Sequence, residues 1–224
     1  MDSPSQDAVN LHVEILPPKT KKAFEALSKE AWLKEPGWYL AGGTALALQT
    51  GHRTSVDLDF FTTKKNFDTK TFLKNFLENK NWVATVEENS TIYGEFLGAK
   101  VSFIAYPFFV PKQDYLHFGS ISILSAHDIA VMKIVAISQR GKKRDFFDLY
   151  WCAHHLEPLE TTIKKLPAQY PAVAHDYHHI LKSMVYFDDA ENDPEPQVLF
   201  EATWKKVKAF FEKEIPIITK KLIL

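Results

Sequence analysis

Hydrophobic and polar positions divide the chain into two textures, short strand-like runs mixed with helical spacings up to about residue 124 and purely helical spacings after it. From Thr20, the positions of Phe24, Leu27 and Trp32 predict an amphipathic helix, closed by "EPG" at 35–37. "WYLA" at 38–41 predicts a strand. "GGTALALQTG" at 42–51 predicts a tight turn, a helix beginning near Thr44 and a glycine stop at Gly51. "VDLDFF" at 56–61 predicts a further strand, with Val56, Leu58 and Phe60 pointing into the core. Phe72, Leu73, Phe76 and Leu77 predict a helix over 68–78, capped by Asp68 or Thr69. "WVATVEEN", "TIYGEFL", "AKVSFIAYPFF" and "YLHFGSISIL" are rich in β-branched and aromatic residues, with turn signals between them, and predict strands paired as hairpins.

Beyond Ser125 the expected helices are 126–140 with Gly141 as C-cap, then "KRDFFDLYWCAHHL", then about 158–166, 171–186 and 197–220. The expected class is therefore α+β: an α/β core over 1–124 with a mixed sheet, followed by a helical region over 125–224. Residues 1–18, polar and ending in "LPPK", read as a poorly ordered lead-in.

Composition narrows the functional classes. A chain of 224 residues with 46% apolar content can bury a real core. Its 27 Lys+Arg oppose 28 Asp+Glu, so attraction to a polyanion must come from local clustering, which excludes a histone-like role. The lone Cys152 excludes an internal disulfide framework and a cysteine-only zinc site, and favours a reducing cytosol. No run approaches the ~20 apolar residues of a membrane span. "MDSPSQDAVN" lacks the basic start and apolar middle of a signal peptide, so a cytoplasmic location without membrane attachment is expected.

Within the strand "VDLDFF", Asp57 and Asp59 share a face about 7 Å apart. Two carboxylates so placed repel, unless a divalent cation such as Mg²⁺ lies between them with substrate phosphates and water completing its shell. Just upstream, Gly42 and Gly43 let the backbone approach a ligand closely, and Thr44 begins a helix whose free N–H groups suit a phosphate. Alone, "GGT" is more often a turn and cap, and "DLD" a solvent-facing strand edge. Together they resemble the layout of polymerase-β-like nucleotidyltransferases.

"YLAGGTALALQTGHRTSVDLDFFT" resembles the signature of the AbiEii-type nucleotidyltransferases, a family of bacterial toxin components. "DIAVMKIVAISQRGKKRDFFDLYW" and "MVYFDDAENDPEPQVLF" extend the resemblance over nearly the whole chain. The resemblance implies transfer of a nucleotide from an NTP to an acceptor, with Asp57 and Asp59 holding Mg²⁺ and the Gly43–Thr44 turn and Lys133 receiving the pyrophosphate. It also implies an RNA acceptor such as a tRNA end, and a cognate antitoxin. Two alternatives stand beside it: a nucleotide-binding homologue without catalysis, and a nucleotidyltransferase that modifies a protein.

Lys133 and Arg140, seven residues apart on one helix, lie within about 20° around its axis and can face one cleft. Lys133 suits the NTP phosphates as a point charge, and Arg140 can fork onto phosphate or acceptor backbone. Arg140, Lys142, Lys143 and Arg144 form the densest basic cluster, suited to an RNA acceptor or, equally, to a solvated helix end. The family pattern has an acid after this turn, so Asp145 is the candidate for anchoring Lys133 or Arg140, with Asp148 behind it. The third carboxylate of many such enzymes falls on Ser102, which cannot activate a hydroxyl, leaving Glu95 or Asp145 as substitutes. His52 and Arg53 precede the aspartates and either touch phosphate or brace their loop. His175 and His179 are expected on a solvated helix face beside an apolar stripe of Ala174, Tyr177, Leu181 and Met184. Trp204, Val207, Phe211 and Cys152 read as packing.

Overall fold

The computed structural model describes residues 11–34, 37–76, 82–88 and 90–223. β-branched and aromatic residues at alternate positions build its strands: β1 (Trp38–Ala41), β2 (Leu58–Thr62), β3 (Trp82–Glu88), β4 (Thr91–Phe96), β5 (Ala99–Ala105), β6 (Leu116–Phe118) and β7 (Ile121–Ile123). They form one mixed sheet in the order β3-β4-β5-β2-β1-β7-β6. The β3/β4, β4/β5 and β6/β7 neighbours are antiparallel hairpins, whereas β2/β5 and β1/β7 are parallel.

Register decides what shares a row. Ala41 of β1 pairs with Asp59 of β2, Asp59 with Ser102 of β5, and Ser102 with Tyr93 of β4. These four lie abreast on one face. The other face carries Leu40, Leu58, Phe60, Val101 and Phe103, all buried. It packs against α1 (Pro18–Leu27), the 3₁₀ turns 31–34 and 74–76, and α3 (Thr69–Leu73), where Phe72 lies 4.7 Å from Phe103 and Trp32 stands edge-on to Phe72.

The site-bearing face is covered by α2 (Gly42–Thr50) and α4 (Ala126–Arg140), which pack on each other and on α5 (Lys143–His155). Ser125 caps α4 through its hydroxyl, and Gly141 ends it at φ +52°. The remaining helices are α6 (Leu159–Lys164), α7 (Leu166–Gln169), α8 (Tyr177–Ser183), α9 (Asp188–Glu191) and α10 (Trp204–Leu222). Val207 and Phe211 of α10 are fully buried, Phe211 edge-on to Phe146 of α5, and Cys152 is buried as packing.

Several boundaries differ from the sequence reading. The helix after β1 begins at Gly42, because Thr44 points its hydroxyl inward instead of capping. β2 begins at Leu58, and Val56 is 50% exposed. Residues 35–36 and 77–78 of two expected helix ends lie outside the described residues, as do 1–10 of the lead-in. The lead-in from Leu11 is packed: Leu16 is buried and the His12 N–H donates to the Leu48 carbonyl at 2.7 Å. The helix expected over 171–186 shrinks to α8, whose cap is Asp176, so Ala174 lies outside it and is exposed. That expected over 197–220 starts at Trp204, where Thr203 caps it, and Val198 upstream instead bridges to Arg53.

Candidate active site

A cleft of about 560 Å³ lies between the Asp59 row of the sheet and the facing side of α4. Its floor begins at the β1–α2 junction. Gly42 has φ +71°, a backbone state that favours glycine, and a Cβ there would stand 3.3 Å from Asp59 Oδ2. A Cβ on Gly43 would fall 2.1 Å from Arg53 Nη2, so this glycine makes room for a guanidinium from the protein itself. No side chain caps α2, which leaves its first N–H groups for an anion in the cleft. Thr44 is buried; its hydroxyl donates to the Asp57 carbonyl and lies 2.8 Å from Ser55 Oγ, fixing the loop that carries Asp57.

Asp57 and Asp59 both line the cleft. Ser102 donates to Asp59 Oδ1 at 2.7 Å, and Arg144 Nη1 lies 3.5 Å from Asp57 Oδ2. Burial pushes the Asp59 carboxyl up, and the Asp57 charge pushes the same way against the Ser102 hydrogen bond. These two acids fit a Mg²⁺ ion. The donors are hard oxygens, Gly42 leaves Asp59 Oδ2 uncrowded, and an arginine already stands against Asp57 as a counter-cation. Among the described residues no group of three His, Cys, Asp or Glu side chains is placed to hold a metal, so the donors fit an ion that phosphate and water help to coordinate, not one caged by protein.

Behind the cleft runs a buried ionic chain. Asp148 of α5, fully buried, takes Arg53 Nε at 2.6 Å and Nη2 at 3.0 Å, Lys133 Nζ at 2.6 Å and His52 Nε2 at 2.8 Å. Asp145 takes Lys133 Nζ at 2.7 Å and Arg140 Nε at 3.0 Å. Burial alone would raise both carboxyls; Arg53 and Lys133 overcome it and hold Asp148 well below the usual range, and Lys133 and Arg140 hold Asp145 below it. Burial lowers the His52 pKa and outweighs its carboxylate partner, so the ring is neutral and donates through Nε2. Three fixed cations thus share two carboxylates, leaving surplus positive charge beside the α2 terminus.

The structure therefore brings Gly42, Gly43, Thr44, Asp57, Asp59, Lys133, Arg140 and Arg144 around one cleft, with Asp145 directly behind them. It corrects other expectations. Asp145 has both oxygens held by cations, so it positions Lys133 and Arg140 and is no general base. Lys143 is buried: its ammonium donates to the carbonyls of Glu191 and Asp193 and lies over Trp204, while Lys142 pairs with Asp193 at 3.1 Å. The acceptor patch of four loses Lys143, whereas Arg140, Lys142 and Arg144 stay about half exposed, each beside a carboxylate. Arg53 braces the loop from the cleft wall. Asp148 was underweighted, although its place between Asp145 and Cys152 on the buried stripe of α5 signals a carboxylate in need of partners.

A glycine turn feeding an uncapped helix, two acids beside the next strand and cations across the cleft define the class as nucleotidyltransferase. The comparisons give the branch: the family model for nucleotidyl transferase AbiEii toxins of Type IV TA systems matches residues 26–84 and 100–217, so the chain belongs to the AbiEii family. It is 36% identical over 186 residues to an uncharacterized protein of Aquifex aeolicus (strain VF5), covering 80% of this chain and 86% of that one. Among solved structures, MenT4, a nucleotidyltransferase toxin of Mycobacterium tuberculosis H37Rv, superposes with a TM-score of 0.53 at 15% identity, over 91% of this chain and 86% of that one. JHP933 of Helicobacter pylori superposes at 0.52 with 19% identity, over 92% and 94%. At these identities the likeness is one of fold.

Proposed function

We propose that this nucleotidyltransferase moves an NMP from an NTP to a hydroxyl of an RNA acceptor, with Mg²⁺ on Asp57 and Asp59. The observation that carries the reading is the juxtaposition of those two carboxylates with the uncapped α2 terminus in one cleft. The triphosphate lies against the N–H groups of Gly43 and Thr44, with Arg53 and Lys133 behind them and Arg140 opposite. The acceptor oxygen forms a bond to the α-phosphorus, the bond from that phosphorus to the β-bridging oxygen breaks, and pyrophosphate leaves into the cationic side of the cleft. Bound Mg²⁺ would supply charge neutralisation for the transferring group. Ser102 cannot take the acceptor proton and Asp145 is fully engaged, which leaves Glu95, exposed on the cleft wall two residues beyond the partner of Ser102 on β4, as the candidate base.

The description of the family as toxins of Type IV systems supports a toxin role with a cognate antitoxin. Among the described residues no helix is long and apolar enough to cross a membrane. The rival reading, a nucleotide binder without catalysis, draws on Ser102 in the third-carboxylate position. Incubating the protein with total RNA, Mg²⁺ and each α-³²P-labelled NTP, beside an Asp57→Asn/Asp59→Asn double variant, decides between them. Label in RNA that the variant loses supports transfer. NTP binding without label in RNA or protein supports the rival, and label in protein alone moves the acceptor to a protein side chain.

A further inference from the structure

Burial of Lys143 takes one cation from the acceptor's expected phosphate track. The cleft, however, does not end at the sheet. A second groove of about 450 Å³ continues from it, sharing the walls Tyr106, Val135 and Gln139. Its lining is aromatic. Phe108 is 51% exposed and stands edge-on to Tyr106 at 5.9 Å, and Tyr106 stands edge-on to the buried Tyr170 at 6.2 Å. His175 and His179, expected on an outer helix face, line this groove instead. Each ring meets a main-chain carbonyl through Nε2, Tyr170 at 3.1 Å and Ser138 at 3.0 Å, which leaves Nδ1 to meet other polar groups.

We infer that this groove, where exposed Phe108 and half-buried Tyr106 adjoin the reactive cleft, seats the unpaired bases next to the 3′ terminus of the acceptor RNA. The inference rests on the RNA-acceptor reading above. Ser102, Ile104 and Tyr106 follow one another on the same side of β5 and its extension, Ser102 touching Asp59 and Tyr106 about 13 Å further on. An RNA whose terminal hydroxyl lies at Asp59 thus has its preceding bases at Tyr106 and Phe108. Every base has a π-face, so aromatic walls bind a single strand where phosphate contacts are few. The α2 terminus and Arg53 hold the NTP triphosphate on the far side of Asp59 from Tyr106, so the NTP could reach the groove only with its base, an occupancy that a change in the NTP KM below would reveal.

Two variants outside the reactive cleft test this. Phe108→Ala removes the exposed ring, and Ala174→Trp fills the groove from an exposed position. Each is measured for the KM of a single-stranded RNA, the KM of the NTP, and RNA binding by fluorescence anisotropy. A companion RNA carries abasic sites at the nucleotides preceding its 3′ end. Each variant should raise the RNA KM and weaken binding about tenfold, within the range of losing one base–aromatic stack, with the NTP KM unchanged. The abasic RNA should bind the native protein equally poorly and be indifferent to Phe108→Ala. An unchanged RNA KM in both variants, or a rise in the NTP KM instead, overturns the inference while transfer to RNA stands. Failure of the native protein to label any RNA overturns the RNA reading itself, and the inference falls with it.

Discussion

Replacing Asp148 by Asn removes one unit of charge from a site with no solvent to compensate it. The amide keeps one acceptor oxygen and no charge, so Arg53 loses its carboxylate partner and keeps the Thr54 carbonyl at 2.8 Å, whereas Lys133 keeps Asp145 at 2.7 Å. Removing one partner of a buried ion pair costs about 3–5 kcal/mol, and the surviving Lys133–Asp145 pair places this case near the lower end, at about 3 kcal/mol. For a chain of this length that corresponds to a fall of about 6–12 °C in Tm. Urea unfolding at neutral pH and thermal melts measure both. The folded carboxyl titrates well below the ordinary aspartate value of 3.8, so its stabilisation is fully present above that pH and drains away as pH falls towards the folded value. Native and variant stability curves should therefore converge in acid. A loss under about 1 kcal/mol, the worth of an exposed pair, or parallel acid limbs in the two proteins, would refute the argument.

Asp57→Asn or Asp59→Asn should abolish nucleotide transfer and leave Tm unchanged or higher, since one of two neighbouring like charges is removed; a broadened melt in either would mean the acids are structural. Gly43→Ala should cost about 3 kcal/mol by driving its Cβ into Arg53, and the cost should nearly vanish in an Arg53→Ala background. Full additivity in that double-mutant cycle would contradict the contact. Ser102→Asp should lower Tm without divalent cations and show a larger Mg²⁺-dependent rise than the native protein, read by differential scanning fluorimetry; equal Mg²⁺ responses would argue against an ion at Asp59. Lys143→Ala should lower Tm while leaving the RNA KM untouched, and a weakened RNA KM would restore this residue to the acceptor surface.

The site was legible where spacing alone fixes neighbours. Asp57 and Asp59 lie two apart beside a strand, Lys133 and Arg140 seven apart on a helix, and Gly51 and Gly141 end their helices in the left-handed region as expected. Ser102 was visible through the resemblance alone, as the place where many nucleotidyltransferases carry a third carboxylate, and the register of β2 with β5 sets it beside Asp59. What local spacing cannot carry is the partner of a side chain across the fold. Asp148 lies some 95 residues from Arg53 in sequence, and nothing near either shows that they meet. Four clustered cations likewise look alike in sequence, yet only the approach of the 191–193 segment decides that Lys143 is buried against it. Helix 171–186 was overdrawn for a related reason: apolar spacing continued upstream of Tyr177, but the Asp176 cap sets the start.

The loop that carries Arg53 is held from outside by the strap at 197–199. The Thr54 N–H donates to the Gln197 carbonyl at 3.0 Å, and the Leu199 N–H to the His52 carbonyl at 2.7 Å. Translation makes the glycine turn, Asp57 and Asp59 well before the strap that locks their neighbouring loop, Gln197 following Thr54 by 143 residues. A ribosome-bound chain short of that point carries every reacting group and lacks the brace that orders them. This order of synthesis withholds a fully braced cleft from chains that stop short of the strap.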